Sequence, residues 1–410
     1  MSRAILAFAL LAGCYSPSVD RCLYRCDTGG KCPSNLTCNS ESWCAESEVD
    51  SCSGAVPDAS SACTWQTSNI DACVEGFDKI TADWSIPSTL MATVDTTNMT
   101  ANAPAGAVVG TMNQGGLANA PALVIAVHDF RLDGTLTVSG KIPLIIVASG
   151  TVTIGGTLRV TPAGDIDVQC SGQKGGIPTG SNDGGGGGGG GSMGLPGGPG
   201  GLGGLNTTSM GTAASRGSTG MVLTPNELML TPLRGGCRGG NGGNPNGGMT
   251  GRGGSGGGAV QISAQTTIIV MGGTIAANGA GGLAPAASAS GQNGGGGGGS
   301  GGAILLESPM VTVSNARICA NGGGGASSTG DNGGVSDCGT TPAPGGQTNT
   351  AFDGGANGST AEIPSMPAED GASATGSAKA HGGGGGGGGV GRFRILGDAT
   401  ITSSIVSPTP

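Results

Sequence analysis

Histidine and aromatic side chains are nearly missing from this sequence. Its 410 residues hold 2 His, 3 Trp, 2 Tyr and 5 Phe, and only 10% are charged. Aromatics supply much of the buried area of ordinary cores, so any core here is aliphatic and thin. Lys and Arg total 17 against 26 Asp and Glu, a net charge of −9, and no basic stripe interleaves with aromatics. That removes the footprint of a nucleic-acid binder. No Gly-Lys-Ser/Thr exists for a P-loop, and the calcium-binding Gly-Gly-x-Gly-x-Asp array is absent. What the chain has instead is glycine, 90 residues, with 15 in residues 1–170 and 75 in residues 171–410. The usual share is about 7%. Without a strict Gly-X-Y period the excess is not collagen.

The first residues give an address. Arg3 precedes the apolar run Ala4–Leu11, which is too short to span a bilayer and reads as a signal peptide. It closes in Leu11-Ala12-Gly13-Cys14, which resembles the lipobox of bacterial lipoproteins. That resemblance implies acylation of Cys14 and a membrane anchor, several acyl chains being enough for stable attachment. Tyr15, in place of Asp, implies outer-membrane delivery by the same resemblance. The competing reading is a secreted protein whose Cys14 sits in a disulfide.

Twelve cysteines remain besides Cys14, an even number. Cys22, Cys26, Cys32, Cys38, Cys44, Cys52, Cys63 and Cys73 crowd the region after the signal. No histidine lies nearby and no C-x2-C pair exists, which argues against zinc; no metal or cofactor is expected. A short module in an oxidising compartment is held by disulfides. The chain therefore divides into a signal peptide (1–13), a disulfide-rich module and tether (14–75), and two parts of one repeat array (76–170 and 171–410).

The repeat is an apolar doublet with one residue between. Doublets occur at Leu136/Val138, Leu144/Ile146, Val152/Ile154, Leu158/Val160 and Ile166/Val168. They recur as Val260/Ile262 and Ile268/Val270, then Ile275, and as Ile304/Leu306 and Val311/Val313, then Ile318. A third copy has Phe393/Ile395, then Ile401. Period two marks short strands with one buried face. Three such strands per coil predict an all-β fold, a right-handed parallel β-helix (triangular β-solenoid) over roughly 120–168, 258–277, 302–320 and 391–406. Ile304, Leu306, Val311, Val313 and Ile318 are expected to point inward.

Glycine-rich insertions separate the coils at 171–257, 279–301 and 322–390, and their matched flanks place them at one corner. Two states are open to them. One is disorder, since glycine loses the most backbone entropy on folding. The other is polyglycine II, an extended threefold helix whose strands pack closely. Cys170 with Cys237, and Cys319 with Cys338, would pin two insertions.

Catalytic patterns fare poorly. Gly-x-Ser-x-Gly at 253–257 and 298–302 lacks the strand-then-helix context of a nucleophile elbow. His128, Asp129, Arg131 and Asp133, with Asp165 and Asp167, could line a groove like that of β-helix polysaccharide lyases and hydrolases. The plainer expectation is outward-facing or corner-stabilising polar residues. Taken together, the lipobox, the cysteine-rich head, "PLIIVASGTVTIGGTLRV", "PLRGGCRGGNGG" and "GGGGGGSGGAILLES" resemble glycine-rich, predicted β-helix lipoproteins of myxobacteria. The resemblance implies an envelope protein and carries over no catalytic residues. The expectation is a surface-displayed structural or adhesive lipoprotein, not an enzyme. A glycine-covered face would meet glycans, extracellular matrix or neighbouring cells. The rivals are a carbohydrate-active enzyme and a passive envelope scaffold.

Overall fold

In the computed structural model the chain divides into two compact units, residues 1–64 and 65–410. The structure describes 37–38 and 44–45 in the first. In the second it describes 65–410 apart from 66, 74, 117–119, 162–169, 180–181, 207–210, 223–228, 246–248, 287–291, 340, 349–367 and 375–380. Cys14, Cys22, Cys26, Cys32, Cys52, Cys63, Asp165, Asp167 and the doublet Ile166/Val168 lie outside the described residues. In the first unit β1 (Thr37–Cys38) pairs antiparallel with β2 (Cys44–Ala45). Cys38 and, in the second unit, Cys73 are disulfide-bonded.

The second unit is almost entirely β. Its strands are β3 (Trp84–Ile86), β4 (Met91–Asp95), β5 (Thr100–Ala101), β6 (Val108–Asn113), β7 (Pro121–Val127), β8 (Phe130–Leu132) and β9 (Thr135–Ser139). There follow β10 (Leu144–Ala148), β11 (Thr151–Ile154), β12 (Thr157–Val160), β13 (Ala259–Ala264), β14 (Thr267–Met271) and β15 (Thr274–Ala276). The last are β16 (Ala303–Ser314), β17 (Arg317–Cys319), β18 (Arg392–Thr402) and β19 (Ile405–Ser407).

Parallel pairing aligns the doublets in three ladders. One runs Leu123, Leu144, Val260, Ile304, Phe393 across β7, β10, β13, β16 and β18. A second runs Trp84, Phe130, Val152, Ile268, Val311, Ala399. The third runs Ala92, Leu136, Leu158, Ile275, Ile318, Val406. Members of all three meet in one core cluster. Ile304, Leu306, Val311, Val313 and Ile318 are fully buried in it, as their period-two spacing requires. The rings of Trp84 and Phe130 lie 4.9 Å apart at one end.

Two features depart from the sequence reading. β6 and β7, and β4 and β5, pair antiparallel, so the sheets are mixed. Only a short link joins β6 to β7, whereas a parallel pair needs a crossover of a dozen or more residues. The first ladder is also buried on both faces: every residue of Leu144–Ala148 and of Ala259–Ala264 is inside. Continuous apolar runs such as "LIIVA" carry that signal.

The insertions begin after β12, β15 and β17, which are in register, and end before β13, β16 and β18, which are also in register. They are ordered by backbone hydrogen bonds of period three. In the run 184–191, the N–H groups of Gly184, Gly187 and Gly190 donate to the carbonyls of Gly204, Gly201 and Gly198. Those of Gly185, Gly188 and Gly191 donate to Gln292, Gly295 and Gly298. Gly186 and Gly189 donate to Gly176 and Gln173. The carbonyls of the same run accept from three further segments: Gly240 and Gly243, Gly217 and Gly220, and Gly383, Gly386 and Gly389. One extended run therefore has six neighbours. The N–H groups of the run 294–299 likewise donate in three directions, to Gly240 and Gly243, to Ala280 and Leu283, and to Gly383 and Gly386. Disulfides Cys170–Cys237 and Cys319–Cys338, with Cα separations of 5.6 and 5.4 Å, join the pairs expected from sequence.

Candidate functional site

The charged corner between β7 and β8 is the first place to look for chemistry. His128 Nδ1 lies 3.1 Å from Asp83 Oδ1 and 3.7 Å from Asp129 Oδ2. These are the described residues whose ligand atoms converge closely enough to suit a cation. Each carboxylate also has a backbone partner. The Asp129 N–H donates to Asp83 Oδ1 at 3.1 Å, and the Thr151 N–H donates to Asp129 Oδ1 at 2.6 Å. Arg131 Nε donates to Asp133 Oδ2 at 2.7 Å. Asp129 thus stitches its corner to the start of the neighbouring strand β11 at Thr151, as a corner-stabilising residue does. Asp83, just before the doublet Trp84/Ile86 and 45 positions from His128, was not read from the sequence as a member of this group. A second anionic turn follows β4, where Asp95 is held below its ordinary pKa. The causes are the backbone N–H of Asn98, then its side chain, opposed by desolvation, and last the Thr97 N–H.

A cleft of about 430 Å³ opens beside β12 and β15. Arg159, Thr274, Asn278, Ser336, Asp337 and Cys338 are among its lining residues. The Cys319–Cys338 disulfide and two asparagines fix its far wall. Asn278 Nδ2 donates to the Ser336 carbonyl at 3.0 Å, and Asn321 Nδ2 to Ser336 Oγ at 2.9 Å. Arg159 and Asp337 are its exposed charges.

A polar clamp lies on the outer side of the first ladder. Glu307 accepts from the Ser68 N–H and hydroxyl, from Gln261 Nε2 and from Ser263 Oγ, at 2.8–3.1 Å. Asn69 Nδ2 donates to Gln261 Oε1 and to the Leu230 carbonyl, each at 2.8 Å. Glu307 is half-buried, and its four donors, three on Oε2 and one on Oε1, tie the Ser68 segment to β13 and β16.

The outer rows of the glycine lattice form a further surface. The glycines of 184–191, 294–299 and 382–389 are all buried. The expected glycine-covered face is therefore turned inward, because a strand with six neighbours has no free side. What faces out are residues of the peripheral strands: every third one in 195–205, and two of every three in 212–219, where Ala214 and Gly217 are buried. In the segment 195–205, Pro196, Pro199, Leu202 and Leu205 point outward between buried glycine pairs, and Leu202 is 43% exposed. One neighbour carries exposed Ser215, Arg216 and Ser218; the other carries exposed Ala372 and Ser373. Backbone bonds from Gly200 to Gly217 and from Gly371 to Pro199 hold the three side by side. Arg216 pairs with Asp370 at 3.2 Å across the stripe. The signal was present in the sequence as the Gly-Gly-x period of "PGGPGGLGGL". Comparison with protein-family models, with curated proteins and with solved structures finds no match to this chain.

Proposed function

We propose that this chain is a surface lipoprotein of the cell envelope with a structural or adhesive role. Its body is a right-handed parallel β-solenoid carrying a polyglycine II bundle. Supporting the architecture are the three parallel ladders around one core, the common corner of the insertions, and the period-three bonding of the glycine runs. Handedness follows the general rule for parallel crossovers.

The observation that carries the adhesive reading is the row of Pro196, Pro199 and Leu202 between hydroxyl-bearing strands. An apolar stripe on a rigid, side-chain-poor support matches the flat apolar faces of sugar rings. The serines beside it can bond ring hydroxyls. Catalysis needs several titratable groups aimed at one point. Asp129 and Asp133 are instead committed to Thr151 and Arg131.

The test presents the Cys14→Ser chain with a panel of immobilised polysaccharides and scores retention and cleavage. Retention without cleavage is expected, weakened about tenfold or more by Leu202→Asp at this exposed stripe. Cleavage that vanishes in Asp129→Ala or Asp165→Ala would replace adhesion with a carbohydrate-active enzyme. Neither retention nor cleavage would leave a passive scaffold.

A further inference from the structure

We propose that the β18–β19 end of the stack is a docking surface for a second copy of this chain. β18 pairs only with β16, and β19 only with β17, so the outer edges of both are unpaired among the described residues. β18 is an edge of 11 residues, long for a strand left open. Such an edge is a template for pairing with another chain. The core is open over the second half of β18, whereas Phe393 in the first half is fully buried. Ile401 is aligned with Val313, yet Val313 is fully buried and Ile401 is 39% exposed. Ala399, aligned with buried Val311, is likewise exposed. Stacked arrays need a polar terminal layer to stay dispersed, and these inner positions are apolar.

The opposite end differs, which selects the partner. There the last strands are antiparallel β5 and β6 and the three-residue β3. A head-to-tail contact would set the two halves of β18 against six-residue β6 and three-residue β3, strands of unequal length. A two-fold contact sets like against like. β18 bends at Gly397, where φ is +121°, so one half lies on the first ladder and the other on the second. A two-fold axis through that corner lays 392–396 of one chain antiparallel to 398–402 of its copy. Phe393 and Ile395 then share one side with Ala399 and Ile401 of the copy, because side chains alternate. Arg394 comes diagonal to Asp398 of the copy, twice by symmetry, a favourable cross-strand charge pair.

Sedimentation equilibrium of the full chain carrying Cys14→Ser should show a dimer in reversible exchange with monomer. Ile401→Asp and Asp398→Arg should each weaken it roughly tenfold or more, through a buried charge and through like-charge contact respectively. Adding Arg394→Asp to Asp398→Arg should restore it. Far-ultraviolet circular dichroism checks that each variant is folded; if Ile401→Asp is not, the charge-reversal pair decides. A monomer throughout the concentration range overturns the proposal. So does a dimer indifferent to the charge reversals.

Discussion

Gly188 and Gly110 show how differently two glycines of one chain are used. A Cβ on Gly188 would fall on the carbonyl of Gly240, a backbone atom fixed by its own lattice bonds. The surrounding strands cannot spread, because each is bonded to further strands behind it. A Cβ on Gly110, in β6, would meet no atom within 4 Å. Gly188→Ala should therefore lower stability by about 1–3 kcal/mol or more, the scale of overpacking a dense interior. Gly110→Ala should be neutral or stabilising by roughly 0.5–1 kcal/mol, from reduced backbone freedom in the unfolded chain. Urea denaturation of both variants measures this. Equal midpoints would mean that the lattice is loose.

Among the elements, the ladders were the most legible part, for a physical reason. A strand with one buried face must alternate, so Val152/Ile154 and Ile268/Val270 announce themselves and their register. β16 was legible as two doublets but not as one 12-residue strand turning from one ladder to the next, since the turn at Glu307–Met310 breaks register without breaking the strand. β5 and β6 left no such mark. Their partners β4 and β7 supply the burial, and Val108 and Val109 remain exposed. The clamp at Glu307 was invisible because its donors are up to 239 positions away in sequence. Insertions were legible as glycine, with bonded polyglycine II left open beside disorder; which strands bond to which was not legible, since a backbone bond has no residue signature. The disulfides give the insertions their own test. Replacing Cys170 and Cys237 by Ser frees a loop of 67 residues, against 19 for Cys319 and Cys338. Loop-closure entropy then predicts losses of roughly 4 and 3 kcal/mol. Thermal unfolding of the two double variants should rank them in that order; the reverse order would show that loop length is not what these bonds restrain.

Taken whole, the molecule joins a narrow aliphatic core to a side-chain-free lattice, and the proposed anchor sits at the far N-terminal side in sequence. Replacing Cys14 by Ser should move the protein from the membrane fraction to the soluble fraction, read by fractionation and immunoblot. Unchanged membrane retention would remove the lipid anchor and with it the envelope reading. The six-neighbour run has a temporal consequence as well. Gly185, Gly188 and Gly191 receive bonds from Gly383, Gly386 and Gly389, partners roughly two hundred positions downstream, and contacts so distant in sequence form slowly. During synthesis the run 184–191 can gather five of its six neighbours by residue 298, and waits for the sixth until nearly the whole chain has left the ribosome. The lattice thus closes only when the last glycine run arrives, just ahead of β18 and β19, and until then its first run keeps an open side.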